Sequence, residues 1–198
     1  KLSYQITLQT FMGSQQGTWK LEAKIHPSGW QLAQRIAFPG YDKYSQSLFL
    51  RSLGWLDFWQ NAPADSSVKV HMVYDLGKSR VRTTRKTSAG EETTSLLVVN
   101  GPVIVNAFDL PFFLHRGYTV QPQRQYHLLY QGDPQWTVGV VKAAADTYAL
   151  VPVAPLVERP VFSAEQLSSV RVKVNAAGIP VVITAASGFF RLRALLAR

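Results

Sequence analysis

The 198-residue chain has no cysteine, which excludes disulfides, thiolate metal sites and a cysteine nucleophile. It also lacks any apolar run close to the roughly 20 residues that a membrane-spanning helix needs; the longest uninterrupted ones are short stretches such as Leu96 to Val99. Histidines are few and scattered: His26, His71, His115 and His127 show no His-X-His or His-X-X-X-His spacing that would argue for a metal. There is no Gly-X-Ser-X-Gly elbow and no glycine-rich phosphate loop. Acidic residues are scarce, 12 against 21 Lys plus Arg, and the net charge of +9 favours anionic partners such as lipid headgroups, lipopolysaccharide, nucleic acid or acidic proteins. No fixed-period repeat, low-complexity stretch or long linker divides the chain, so residues 1–198 read as one domain.

What is present is alternation. Leu2, Tyr4, Ile6 and Leu8 face one way while Ser3, Gln5, Thr7 and Gln9 face the other, as in a strand with one dry side. Trp19, Leu21, Ala23 and Ile25 repeat the beat after the Gly13 to Gly17 turn, and Trp30 to Phe38 follows Pro27-Ser28-Gly29. A fourth strand is expected over Tyr44 to Ser52. A second meander is expected from Val68 to Val99, and further strands over Tyr118 to Val120, Arg124 to Gln131, Trp136 to Ala143 and Tyr148 to Val153. The last hairpin joins Val170, Val172 and Val174 to Ile179, Val181 and Ile183 across Asn175 to Gly178, before a strand from Phe190 to Leu196. Two segments break the rhythm: Gly54 to Trp59 reads as a loop or short helical turn, and Asn106 to Arg116 as a short helix. Ser163-Ala164-Glu165-Gln166 is a capping signature for another. The fold class is therefore all-β: a strongly curved antiparallel sheet or half-open barrel of about a dozen strands with one or two short helices.

Tyr4 to Leu8, Gly17, Leu21-Glu22-Ala23, Ser28 to Leu32 and the closing Asn175 to Ile183 resemble uncharacterised secreted β-sheet proteins of Gram-negative bacteria. That resemblance implies a periplasmic protein with the clam-like sheet of periplasmic lipoprotein carriers, which hold an acyl chain; it brings no catalytic motif. A first residue Lys1 fits a processed signal peptide. Gly17-Thr18-Trp19 also resembles the Gly-X-Trp signature of lipocalins, here carried by the second strand.

Two constellations stand out. Trp55, Phe58 and Trp59, with Phe112 and Phe113, are candidates to line or lid an apolar cavity, and filling a core is the competing explanation. Lys78, Arg80, Arg82 and Lys86 fall on one face of a strand, opposite Val81, Thr83 and Arg85, and form either an anion-binding stripe or a solvated guard against edge pairing. Nucleic acid is not the expected partner, because no aromatics interleave with the bases. Glu91-Glu92 reads as the cross-strand charge partner of this strand. His71 and His127 read as surface residues. The expected role is noncatalytic binding of an apolar or amphipathic, lipid-like ligand, without cofactor or metal. An envelope-interaction module acting through the basic face is the second reading. A hydrolase with an unrecognised site, such as His127 with Asp109 and a serine, is the third.

Overall fold

The structure is a computed structural model of the chain. It describes residues 1–50, 55–60, 69–75, 77–87, 89–99, 103–104, 109, 125–130, 132–188 and 190–197, the side chains at 49, 50, 55, 56 and 104 excepted. The expected helix over Asn106 to Arg116 lies outside these residues except for Asp109, and the expected strand over Tyr118 to Val120 lies outside them entirely.

Eight strands form the first half: β1 Leu2–Thr10, β2 Gly13–His26, β3 Gly29–Phe38, β4 Tyr41–Leu50, β5 Trp55–Gln60, β6 Val70–Asp75, β7 Arg80–Lys86 and β8 Glu92–Val98. The second half holds β9 Val103–Ile104, β10 Gln125–Tyr130, β11 Asp133–Ala144, β12 Thr147–Pro155, β13 Arg171–Val174, β14 Pro180–Ser187 and β15 Phe190–Leu196. One short helix, α1 Ala164–Ser168, interrupts them. Among the described residues all fifteen strands belong to one sheet, ordered β8-β7-β6-β5-β4-β3-β2-β1-β15-β14-β13-β12-β11-β10-β9. Every pairing is antiparallel except that of β9 with β10. β1 is the pivot: it pairs with β2 on one side and with β15 on the other, so that Tyr4 stands between Trp19 and Leu196.

The alternation in β1 and β2 becomes burial on one face. Tyr4, Ile6, Trp19 and Leu21 are buried, and the Tyr4 and Trp19 rings lie 5.2 Å apart. The Tyr4 hydroxyl donates to the Pro180 carbonyl at 3.1 Å, so a polar tip in the core keeps a partner. Gly17 is glycine because the Phe38 ring and the Ala37 carbonyl occupy the place of a Cβ. Pro39-Gly40 turns β3 into β4 with Gly40 at φ 74, the left-handed position that favours glycine after proline. Ser163 caps α1 reciprocally with Gln166, and Leu167 anchors the helix in the core.

The segment expected as a loop, Gly54 to Trp59, is a strand from Trp55 onward, as part of β5 Trp55–Gln60. Its alternation is real: Phe58 and Gln60 are buried while Asp57 and Trp59 face the other way. Bulky residues occupy both faces, so hydrophobicity does not alternate even though side-chain direction does.

The sheet curls until β7 meets the β10–β11 turn, although no backbone ladder joins them among the described residues. Arg85 on β7 bonds Asp133 at 2.6 Å. Gly132, at φ 89, packs so tightly on buried Thr83 that a Cβ there would overlap it. Among the described residues no helix is long and apolar enough to cross a membrane.

Candidate functional site

The curled sheet has a concave face, and its lining is uneven. β10 to β15 present Leu128, Leu129, Val138, Val140, Leu150, Val172, Ile183 and Ala194, all buried and apolar. β3 to β5 present buried polar groups beside the buried apolar Leu32 and Phe58. Gln34, Ser45 and Gln60 stand in direct cross-strand register, and Ser47 lies beside them on β4. Along β4 the concave-face positions are Tyr41, Lys43, Ser45 and Ser47, a polar track that runs inward from the end bearing the β3–β4 and β10–β11 turns.

The track ends at a buried carboxyl. Gln34 accepts from the Trp19 indole at 3.1 Å and donates through Nε2 to Asp109 Oδ1. Ser47 Oγ donates to Asp109 Oδ2 at 3.4 Å. Asp109 is 1% exposed, and burial pushes its carboxyl up to about 7 against the opposing pull of both hydrogen bonds. The carboxyl is thus turned toward β3 and β4, while His127 on β10 stands in register with Thr137 and Val103.

The aromatic candidates do not share one lining. Phe58 faces the core at 3% exposure, whereas Trp59 lies on the convex face, stacked on His71 with centroids 3.4 Å apart and planes at 12°. His71 Nε2 is 3.1 Å from Asp57 Oδ2. His71 is therefore only half exposed, tucked into a small convex-face cluster. The Trp55 side chain, Phe112 and Phe113 lie outside the described residues.

The basic candidates stand on the convex face too. Arg80, Arg82 and Lys86 are exposed on β7, Lys78 sits in the preceding turn 3.9 Å from Asp75, and Glu92 is in register with Lys86. Exposed Val73, Leu96 and Val98 stand beside Arg80 and Arg82. The stripe is thus separated from the concave face by the thickness of the sheet. Arg85, on the opposite side, is taken up by Asp133.

At the end of the sheet where β4 begins, Lys43 is half buried, and burial, with the charge of Lys69, holds its ammonium below its ordinary value. Tyr41 lies near Tyr130, and Tyr130 meets Phe162 edge-on at 5.3 Å. A separate cleft of about 760 Å³ opens at the hairpin tips of the same end, between Phe11, Ser169, Phe190 and Arg191. Among the described residues no cluster of three or more potential metal ligands forms.

Sequence reasoning named Asp109 only as one member of a conceivable triad and passed over Gln34, Ser45, Ser47 and Gln60. β4 carries polar residues on both faces, so the alternation gave no sign of which face turns inward.

No protein-family model matches the sequence, and no curated protein matches it. A solved structure is similar in fold: a β-barrel-like protein of a domain of unknown function, DUF1849, from Brucella abortus, with a TM-score of 0.52 over 100% of this chain and 95% of that one. At 15% identity the likeness speaks for the fold alone, an open, barrel-like antiparallel β-sheet.

Proposed function

We propose that the protein is a noncatalytic binding protein that holds an amphipathic, lipid-like ligand against the concave face of the sheet. The observation that carries this reading is the asymmetry of that face, apolar on β10 to β15 and mixed on β3 to β5, where Gln34, Ser45, Ser47 and Gln60 are buried beside Leu32 and Phe58. A buried amide or hydroxyl costs free energy unless it is bonded, as Gln34 is to Trp19 and Asp109 and Ser47 is to Asp109, so a core that only had to fold would more simply place aliphatics there. Apolar sites with a few placed polar groups are how small-ligand pockets are generally built. Each methylene buried against the apolar wall contributes about 0.8 kcal/mol. The resemblance to secreted β-sheet proteins supports a periplasmic location, which cell fractionation tests.

Native mass spectrometry of the purified protein, followed by solvent extraction and lipid analysis, tests the binding role. A stoichiometric amphiphile is the expected result. A mass that stays unliganded after incubation with envelope lipids overturns it.

A second reading is favoured by the convex face, where Leu96 and Val98 are each 63% exposed beside Arg80 and Arg82. Cations interleaved with exposed apolar groups suit docking to an acidic partner at the envelope. This reading expects salt-sensitive association without any bound lipid.

A further inference from the structure

We propose that the open edge of β8 is a docking site for an extended acidic segment of another protein, which adds to the sheet as a further strand beside Arg80 and Arg82. The inference rests on the convex-face reading and adds the mode of contact to it. β8 is one end of the sheet, and among the described residues nothing pairs with its outer side. Which backbone groups it offers follows from the ladder with β7. The Val99 N–H donates to the Ser79 carbonyl and the Thr87 N–H to the Glu91 carbonyl, both at 2.9 Å. Bonded and non-bonded pairs alternate along an antiparallel ladder, so it is Val81 with Leu97, Thr83 with Ser95 and Arg85 with Thr93 that exchange the bonds between these two points. The N–H and C=O groups of Thr94, Leu96 and Val98 therefore point out of the edge of the sheet.

This edge lacks the usual guards. β8 has no Lys, Arg or Pro, and its register with β7 runs without a bulge. At the other end of the sheet β9 is only two residues long, and Val103 is 8% exposed. Nor does the basic stripe guard an edge, because β7 is paired on both sides, with β6 and with β8. Leu96 and Val98 are exposed on the convex face in register with Arg82 and Arg80. Among the described residues neither arginine has a carboxylate within ion-pair distance, and Asp75, in register with Arg80, is met by Lys78 instead. A strand added to β8 would lie about 10 Å from β7, two strand spacings away, within the combined reach of an arginine and a glutamate side chain. Its acidic groups would meet the two guanidinium groups while its methylenes cover Leu96 and Val98. A second copy of the chain fits less well, because pairing β8 with β8 sets two basic stripes on one face.

The test titrates the full chain with a fluorescein-labelled octapeptide of alternating Glu and Val, with its counterpart carrying Lys in place of Glu, and with two acidic forms N-methylated either at every Glu or at every Val. The acidic peptide is expected to bind and the lysine peptide not. Only one edge of an added strand faces β8, so one N-methylated form should lose about tenfold or more in affinity while the other binds like its parent. R80Q/R82Q should weaken binding several-fold, an effect that added salt reproduces in wild type. L96P removes an outward N–H without breaking a bond to β7 and should abolish binding; its urea midpoint reports whether the fold is kept, and the N-methylated peptides probe the same pairing on the unaltered protein. Two N-methylated forms that bind alike overturn strand addition while leaving the convex-face reading standing. An acidic peptide that does not bind, or that binds R80Q/R82Q as tightly as wild type, overturns both. A peptide-free dimer that L96P disperses assigns the edge to a second copy and overturns the proposal.

Discussion

Arg85 on β7 donates to Asp133 at the start of β11 over 2.6 Å, linking two strands that are not neighbours in the sheet. Beside them Gly132 packs on Thr83. The two contacts differ in kind, and their magnitudes decide which of them holds the curl. Asp133 is 63% exposed, so the ion pair contributes under about 1 kcal/mol. Gly132 occupies a left-handed conformation with no room for a methyl group, and Ala there combines backbone strain with overpacking, on the order of 2–4 kcal/mol. Urea unfolding of Gly132→Ala and Asp133→Ala should therefore show a large shift for the first and a small one for the second. Thr83→Ala should rescue part of the Gly132→Ala loss, since it removes the overlaps with Oγ1 and Cγ2 but leaves the close Cβ and the strain. Equal losses for the two single variants would mean that the ion pair, not the packing, sets the curvature.

Phe58 and Trp59 are adjacent and face opposite sides of β5. Phe58→Ala should cost about 3–5 kcal/mol, the usual penalty for truncating a buried aromatic. Trp59→Ala loses only the stacking on His71 and partial burial, on the order of 1 kcal/mol. It should also leave the affinity for a concave-face ligand unchanged. A Trp59→Ala variant that folds normally but loses ligand would place that indole inside the site.

How legible such features are in the sequence depends on whether the physics is local. The β1–β2 and β13–β14 hairpins and the Ser163 cap are readable because one dry face, a turn and a reciprocal hydrogen bond all lie within a few residues. β5 is hidden because Trp59 finds apolar cover on the convex face, so both sides of the strand look buried. Asp109 gives no local signal at all: its partners Gln34 and Ser47 are 75 and 62 positions away in the chain. Which face of Tyr41-Asp42-Lys43-Tyr44-Ser45 turns inward is likewise decided by the register with β3 and β5, not by composition.

Asp109 predicts an unusual pH dependence. Its unfolded carboxyl titrates near 4, whereas burial in the fold raises it to about 7. Between these values the folded state keeps a proton that the unfolded state has released, so stability falls as pH rises from about 4 to about 7 and levels off above. The loss is on the order of a few kcal/mol. Asp109→Asn keeps an acceptor for Gln34 and a polar group for Ser47 but cannot titrate. Urea midpoints measured across this range should fall in the wild type and fall much less in the variant. Parallel pH profiles in the two proteins would show that Asp109 titrates as an ordinary carboxylate.

The basic stripe offers a way to separate the two faces of the sheet by experiment. Arg80, Arg82 and Lys86 are exposed on the convex side, whereas the ligand proposed above would lie on the concave side. Replacing all three stripe residues by Gln removes charge from the solvated face, where each contributes little to stability. The triple variant should keep the wild-type urea midpoint within about 1 kcal/mol of stability and the wild-type affinity for palmitate. Retention on an anionic resin should fall, because that interaction is long-ranged, salt-dependent and sums over exposed charge. If the triple variant loses palmitate, the ligand's anionic group meets the convex face, and the concave face is only a core. Palmitate affinity kept at the wild-type level while resin retention falls would show that ligand recognition and surface attraction are carried by opposite sides of the same sheet.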